Sequence, residues 1–172
     1  MQRSAAKNYI HRSVGRPELE ALVNNAGLEE INFFKRNPHL IDLYRNRRIA
    51  VALCQGAALQ YLGIGYGVND FDVHFFYRQN LNKPRLCRTV KHLRANVGAF
   101  EGVSVDFIRT VVPNSQQAQE STEVTDLLRA ALRNPQTNNL KHLSRKAVVG
   151  LLPEAVFGVV IWEPRFAEQN RK

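Results

Sequence analysis

The spacing of apolar residues changes several times along the chain, and each change marks an element. Pro17-Glu18 opens a helical pattern with Leu19, Leu22, Val23 and Ala26 on one face and Gly27 as its stop. A second helical stretch is expected over roughly Glu29 to Lys35. Beyond Asn37-Pro38, a short helix carries Leu40, Ile41 and Tyr44. The continuous run Ile49 to Cys54 predicts a buried strand, and Ala57 to Leu62 a short helix leading into the glycine-rich loop Gly63 to Asn69. Next, Phe71, Val73 and Phe75 alternate with Asp70, Asp72 and His74, so one face of this strand is core and the other carries chemistry or solvent. Leu86, Val90, Leu93 and Val97 fall at helical spacing with Gly98 as terminator, and Val103 to Val112 predicts a second strand with Asp106 in its middle. The polar segment Asn114 to Thr122 leads to an amphipathic helix on Val124, Leu127, Leu128, Ala131 and Leu132. Another helix is expected on Leu140, Leu143, Ala147 and Val148, and the β-branched run Ala155 to Trp162 predicts a late strand.

This order predicts an α+β fold: a mixed β-sheet packed with helices, with additional C-terminal helices and a late strand. Residues 1–16 read as an N-terminal arm, 17–113 as the core, and 114–172 as a helical extension with the late strand, either separate or packed on the core as one domain.

Composition narrows the partners. With 172 residues, 44% hydrophobic and 23% charged, the chain can bury a core and is not a disordered segment. The formal net charge of +9 favours a polyanionic partner, nucleic acid or nucleotide phosphates, with solubility as the plain alternative. Cys54 and Cys87 have no CxxC spacing, which fits a reduced protein without disulfide or structural zinc. The basic N-terminus has no continuous apolar region of the secretory kind, and no apolar run approaches the ~20 residues that span a bilayer. A soluble, cytoplasmic protein without a membrane partner is the expectation.

The acidic residues are the candidate chemistry. Asp70 and Asp72, one residue apart on a strand, share a face with Cα atoms about 6.6 Å apart. If the strand bearing Asp106 pairs alongside, its carboxylate arrives at about 5 Å. Three carboxylates of that kind suit Mg²⁺, a hard cation that completes its shell with water and phosphate oxygens. The competing reading has Asp70 capping the loop and Asp72 and Asp106 paired with arginines such as Arg78 or Arg109. His74, on the face of Asp72, reads as a histidine hydrogen-bonded near the core. Arg85, Arg88, Lys91 and Arg94 recur at steps of three, and on a helix they would make either a solvated face or a phosphate-binding row. Lys141, His142, Arg145 and Lys146 read as the solvent face of the penultimate helix. Gly63, Gly65 and Gly67 follow a helix and precede a strand, which is contrary to the dinucleotide-binding context.

The stretch VALCQGAALQYLGIGYGVNDFDVHFFY resembles the core signature of the nucleotidyltransferase superfamily, the polymerase-β-like fold. The parts are an apolar strand, Gly56-Ala57 opening a helix, Asp70-Phe71-Asp72 on a strand, and Asp106 between Val105 and Phe107 on a later one. The match covers about Ile49 to Val112. The resemblance implies that Asp70 and Asp72 ligate catalytic Mg²⁺ and that Asp106 completes the site and helps deprotonate the attacking hydroxyl. Gly56 would let the backbone approach the nucleoside triphosphate at the helix start, with Ala57 beside it and Arg88 and Lys91 as further phosphate contacts. Ala57 stands where the family often has Ser or a second Gly, and GAAL resembles the GGxAL form of some minimal and toxin-associated members. The implied activity is transfer of a nucleoside monophosphate from a nucleoside triphosphate to an acceptor hydroxyl, with release of pyrophosphate. The acceptor stays open among nucleic acid, a small molecule and a protein hydroxyl. A non-catalytic binding module of the same fold, within a toxin-antitoxin or regulatory assembly, is the alternative. A metal-dependent nuclease ranks last, because the acidic strand has no Glu-x-Lys companion.

Overall fold

In the strands, side chains alternate between two faces, and the nearly continuous burial of β1 (Arg48–Cys54) reflects cover on both, each by its own helices. The computed structural model describes residues 8–80, 90–113, 115 and 123–168. Among them, strands β1 (Arg48–Cys54), β2 (Asp70–Arg78), β3 (Val90–Val97), β4 (Phe100–Val112), β5 (Val148–Leu152) and β6 (Val160–Trp162) form one mixed sheet in the order β3-β4-β2-β1-β5-β6. The architecture is α+β with an open mixed sheet. Only β2 and β4 run parallel; every other neighbouring pair is antiparallel. Parallel neighbours need a return passage, and β3 supplies it as the edge strand that hairpins into β4.

On one face, Val51, Leu53, Phe71, Val73, Phe75, Val105 and Phe107 form a core with α1 (Arg16–Arg36) and α3 (Gln55–Tyr61). On the other, Ala50, Ala52, Phe76, Val112 and Val148 are covered by α4 (Val124–Arg133) and α5 (Asn138–Leu143). Both β5 and β6, from beyond residue 114, belong to this same sheet. Arg129 of α4 holds β6 by donating to the Ile161 and Val160 carbonyls at 2.8 and 3.0 Å. Trp162 is buried and donates its indole N–H to the Ser144 carbonyl at 2.8 Å. The chain ends its described part in α6 (Pro164–Glu168), after α2 (Ile41–Tyr44) has bridged α1 and β1. No helix among the described residues is long and apolar enough to cross a membrane.

Four expectations are corrected. The two helices anticipated around Gly27 are one, α1, whose residues Leu19, Leu22, Ala26, Glu29 and Phe33 are buried at steps of three and four. A mid-helix glycine costs about 1 kcal/mol, and packing of both halves on the sheet outweighs it. The helix expected over 86–97 is strand β3 from Val90 onward: Leu93, Ala95 and Val97 also alternate, and hydrogen bonding to β4 selects the extended form. Ala147 and Val148 leave α5, which ends at Leu143, and Val148 enters β5. In the late apolar run, residues Glu154–Val156 form a 3-10 turn, and only Val160–Trp162 are strand.

Two buried ionic groups anchor α1. Glu18 accepts from the Gly15 N–H at 2.8 Å and from the Ala99 N–H at 3.1 Å, which ties the helix start to the β3–β4 turn. Arg109, on β4, lies 3.8 Å over the Phe33 ring and pairs with Glu29 at 3.2 Å. Burial pulls the Arg109 pKa down, opposed by the charges of Tyr77 and Glu29. Glu29 also pairs with Arg36 at 2.7 Å.

Gly150 is fixed by close packing. Its N–H donates to the Val159 carbonyl and its carbonyl accepts from the Gly158 N–H, both at 2.9 Å, and a Cβ there would collide with the Val156 carbonyl oxygen. Gly150→Ala is expected to destabilise the fold by about 2 kcal/mol, a fall of roughly 4–8 °C in Tm, measured by circular dichroism. An unchanged Tm would mean that this turn yields freely.

Candidate metal centre

The zero-offset register of β2 and β4 builds the acidic site. Asp72 stands directly opposite Asp106, and Asp70 is two residues earlier on the same face. One carboxylate oxygen from each of the three lies within 4.8 Å of the others, and all three residues are half-buried. One row across the sheet reads Cys54, Asp72, Asp106, His92. His92, on exposed β3, places Nδ1 2.6 Å from Asp106 Oδ1. At the other end of the row, Cys54 is fully buried. Desolvation and then the Asp72 charge push its thiol pKa well up, so it is no nucleophile.

The reading in which arginines neutralise the aspartates does not hold for the two residues considered. Arg109 points to the opposite face, toward Glu29 and Phe33. Arg78 shares the acidic face but lies six residues along β2 from Asp72, about 20 Å at the rise of a strand. His74 is buried, with Nδ1 2.9 Å from Thr110 Oγ1, and Asn139 Nδ2 donates to that hydroxyl at 2.7 Å. It is a core histidine in a polar network with α5.

The donor set fits Mg²⁺: three hard carboxylate oxygens, close enough to share one ion, partly open to water and to a phosphate ligand. A cavity of about 410 Å³ adjoins it, lined by Gln55, Gly56, Asp70, Asp72, Tyr66 and Lys146 among others. Gln55 takes a left-handed conformation, φ 62°, where β1 turns into α3. A Cβ at Gly56 would meet nothing within 4 Å, so the backbone there is open to a ligand. Ala57 also borders the cavity, but it is only 1% exposed and its methyl belongs to the core.

Of the anticipated basic row, Arg85 lies outside the described residues, and Lys91 and Arg94 do not share a face. Lys91 pairs with Phe107 and therefore lies on the face opposite Asp106, while Arg94 pairs with Ser104 on the acidic face. A strand, unlike a helix, sends residues three apart to opposite sides. Arg88 lies outside the described residues. Among the described residues, the cavity lining includes the cation Lys146, in the turn after α5, which the sequence assigned to a solvent face. His92 was missed because its stretch was read as helical; as a strand, its parity with Asp106 follows from the β3–β4 turn. Of Tyr9 and Tyr66, both on the cavity wall, Tyr66 has only its place between Gly65 and Gly67 as a sequence signal and Tyr9 has none.

No protein-family model, curated protein or solved structure matches this chain.

Mg²⁺ and Mn²⁺ are expected to raise the Tm of the chelator-treated protein. At a concentration 100 times the dissociation constant, the gain is about 2.7 kcal/mol, or roughly 5–10 °C for a chain of this size. Asp72→Asn and Asp106→Asn should each abolish the response in a thermal unfolding titration. A saturable shift that survives both substitutions would place the ion elsewhere.

Proposed function

We propose that the chain is a Mg²⁺-dependent nucleotidyltransferase that moves a nucleoside monophosphate from a nucleoside triphosphate to an acceptor hydroxyl. The observation that carries this reading is Asp106 opposite Asp72 across the parallel β2–β4 pair, with Asp70 alongside and a cavity next to them. The ordered resemblance of Gly56-Ala57, Asp70-Phe71-Asp72 and Asp106 to the nucleotidyltransferase signature supports it.

Asp70, Asp72 and Asp106 would hold Mg²⁺, which supplies charge neutralisation of the phosphates. Open backbone at Gly56 leaves room for the triphosphate, and the Lys146 ammonium offers it a point charge. The acceptor oxygen attacks the α-phosphorus in line. The bond from that phosphorus to the α–β bridging oxygen breaks, its electron pair leaves with pyrophosphate, and the hydroxyl proton passes to an Asp106 carboxylate oxygen. The net charge of +9 favours nucleic acid as the acceptor. A nucleotide-binding module without turnover is the second reading. It draws on Ala57, whose buried methyl offers a phosphate no hydrogen-bond donor.

Incubation with each of the four nucleoside triphosphates, labelled at the α-phosphate, together with Mg²⁺ and RNA, DNA or the protein itself, separates these readings. Pyrophosphate release and label transfer are expected with at least one triphosphate, reduced roughly 100-fold or more in Asp70→Asn and Asp72→Asn. Lys146→Ala should raise KM for the triphosphate about 10-fold. Mg²⁺-dependent triphosphate binding without any transfer would favour the binding module. Absence of both would sink the nucleotide reading altogether.

A further inference from the structure

Two tyrosines stand on the wall of the cavity beside Asp70 and Asp72, and the carboxylate chemistry uses neither. Tyr66 is 88% exposed and Tyr9 47% exposed. A single exposed ring is ordinary; two that border one cavity are not. Hydrogen bonds fix where their backbone runs. Gln60 accepts from the Gly67 N–H at 3.0 Å and donates to the Arg12 carbonyl at 2.9 Å, which clasps the loop to the segment carrying Tyr9. Ile10 and Val68 exchange both main-chain bonds, at 2.8 and 2.9 Å. Gly65 lies so close to Gln60 that a Cβ would be 2.7 Å from its backbone nitrogen. Gly67, at φ +101°, has no room for a side chain either: its Cβ would lie 3.2 Å from Tyr9 Cβ. Residue 9 therefore packs against the loop immediately beside Tyr66.

The rest of the cavity lining combines apolar, polar and ionic groups: Leu59 and the two tyrosines border it together with Asn69, Asp70, Asp72 and Lys146. A metal ion or an inorganic polyphosphate has no flat apolar face to place on tyrosines, whereas every nucleobase has one. At about 410 Å³, the cavity is within the range of small-molecule sites.

We propose that Tyr66 and Tyr9 form a stacking platform for the nucleobase of the nucleoside triphosphate, with the amide of Asn69 facing the base edge and the phosphates directed toward Lys146 and the aspartates. This deepens the nucleotidyltransferase reading and rests on it. The platform is the part of the site that tells a nucleotide from a bare triphosphate. It tolerates several bases, because stacking uses the π-face that all bases share.

The test compares, by calorimetry on the full chain with Mg²⁺, the four α,β-methylene nucleoside triphosphates, which cannot be transferred, with inorganic tripolyphosphate. The parent protein should bind at least one nucleotide more tightly than tripolyphosphate. Tyr66→Ala should weaken the nucleotide roughly 10- to 100-fold, leave tripolyphosphate unchanged, and be rescued by Tyr66→Phe. Tyr9→Ala should act in the same direction. Equal affinity of the parent for nucleotides and tripolyphosphate, or nucleotide binding unaltered in Tyr66→Ala, would overturn the platform and leave the phosphate and metal site standing. So would parallel loss of both ligands in Tyr66→Ala, which a disturbed loop would cause. Binding of neither ligand by the parent would overturn the nucleotidyltransferase reading and the platform with it.

Discussion

The parallel pairing of β2 with β4 is the constraint on which the site depends. It holds Asp106 opposite Asp72 by main-chain hydrogen bonds, although like charges at that spacing repel. The apolar pattern on both faces enforces this register. Phe71, Val73 and Phe75 align with Val105, Phe107 and Arg109 on the α1 side, and Phe76 and Ile108 are buried on the other. A slip of one residue would turn every one of these side chains to the wrong face. The carboxylates thus stay together because core packing leaves the strands no alternative, and a divalent cation would relieve what the core imposes.

The buried charges on the opposite face explain why Arg109 does not neutralise the aspartates. Arg109 is only three residues from Asp106, but the pleat sends it to the α1 side, where Glu29 accepts from it and Phe33 lies beneath it. A buried ion pair adds little net stability, yet removing either partner alone would strand a charge. Glu29 consequently fixes how α1 sits on the sheet. Among the described residues, the positive groups near the aspartates include His92 at the β3 edge, charged only when protonated, Arg94 on the same strand and face, and Lys146 on the cavity wall.

The sequence was most legible where one period dominated. Strands β1, β2 and β4 stand out because their apolar residues run continuously or alternate over the stretch that carries the aspartates, and the acidic set followed from counting along two of them. β3 did not, because Val90, Leu93 and Val97 satisfy helical spacing while Leu93, Ala95 and Val97 satisfy strand spacing. Only the partner strand decides between them. In α1 the apolar repeat is interrupted at Glu29, a carboxylate at a core position whose partner Arg109 is 80 residues away, so Gly27 looked like an end. Lys146 was illegible for a related reason. Its place on the cavity wall depends on β5 pairing with β1, a contact between segments that share no local pattern.

The position of the site along β2 is itself set by the C-terminal half of the chain. On the acidic face β2 carries, in order, Asp70, Asp72, His74 and Phe76, and along β2 this face is buried at His74 and Phe76, on the side of α4 and α5. There the polar chain of His74, Thr110 and Asn139 closes the layer. Asn139 reaches from α5 to the Thr110 hydroxyl, which meets His74 Nδ1 in turn. Beyond that boundary the same face opens, and the next residue toward the strand start is Asp72. An acidic residue two positions deeper would lie under α5, where an ionised carboxylate has neither solvent nor room for a ligand. Helices that carry none of the three carboxylates thus determine which part of this face of β2 is open.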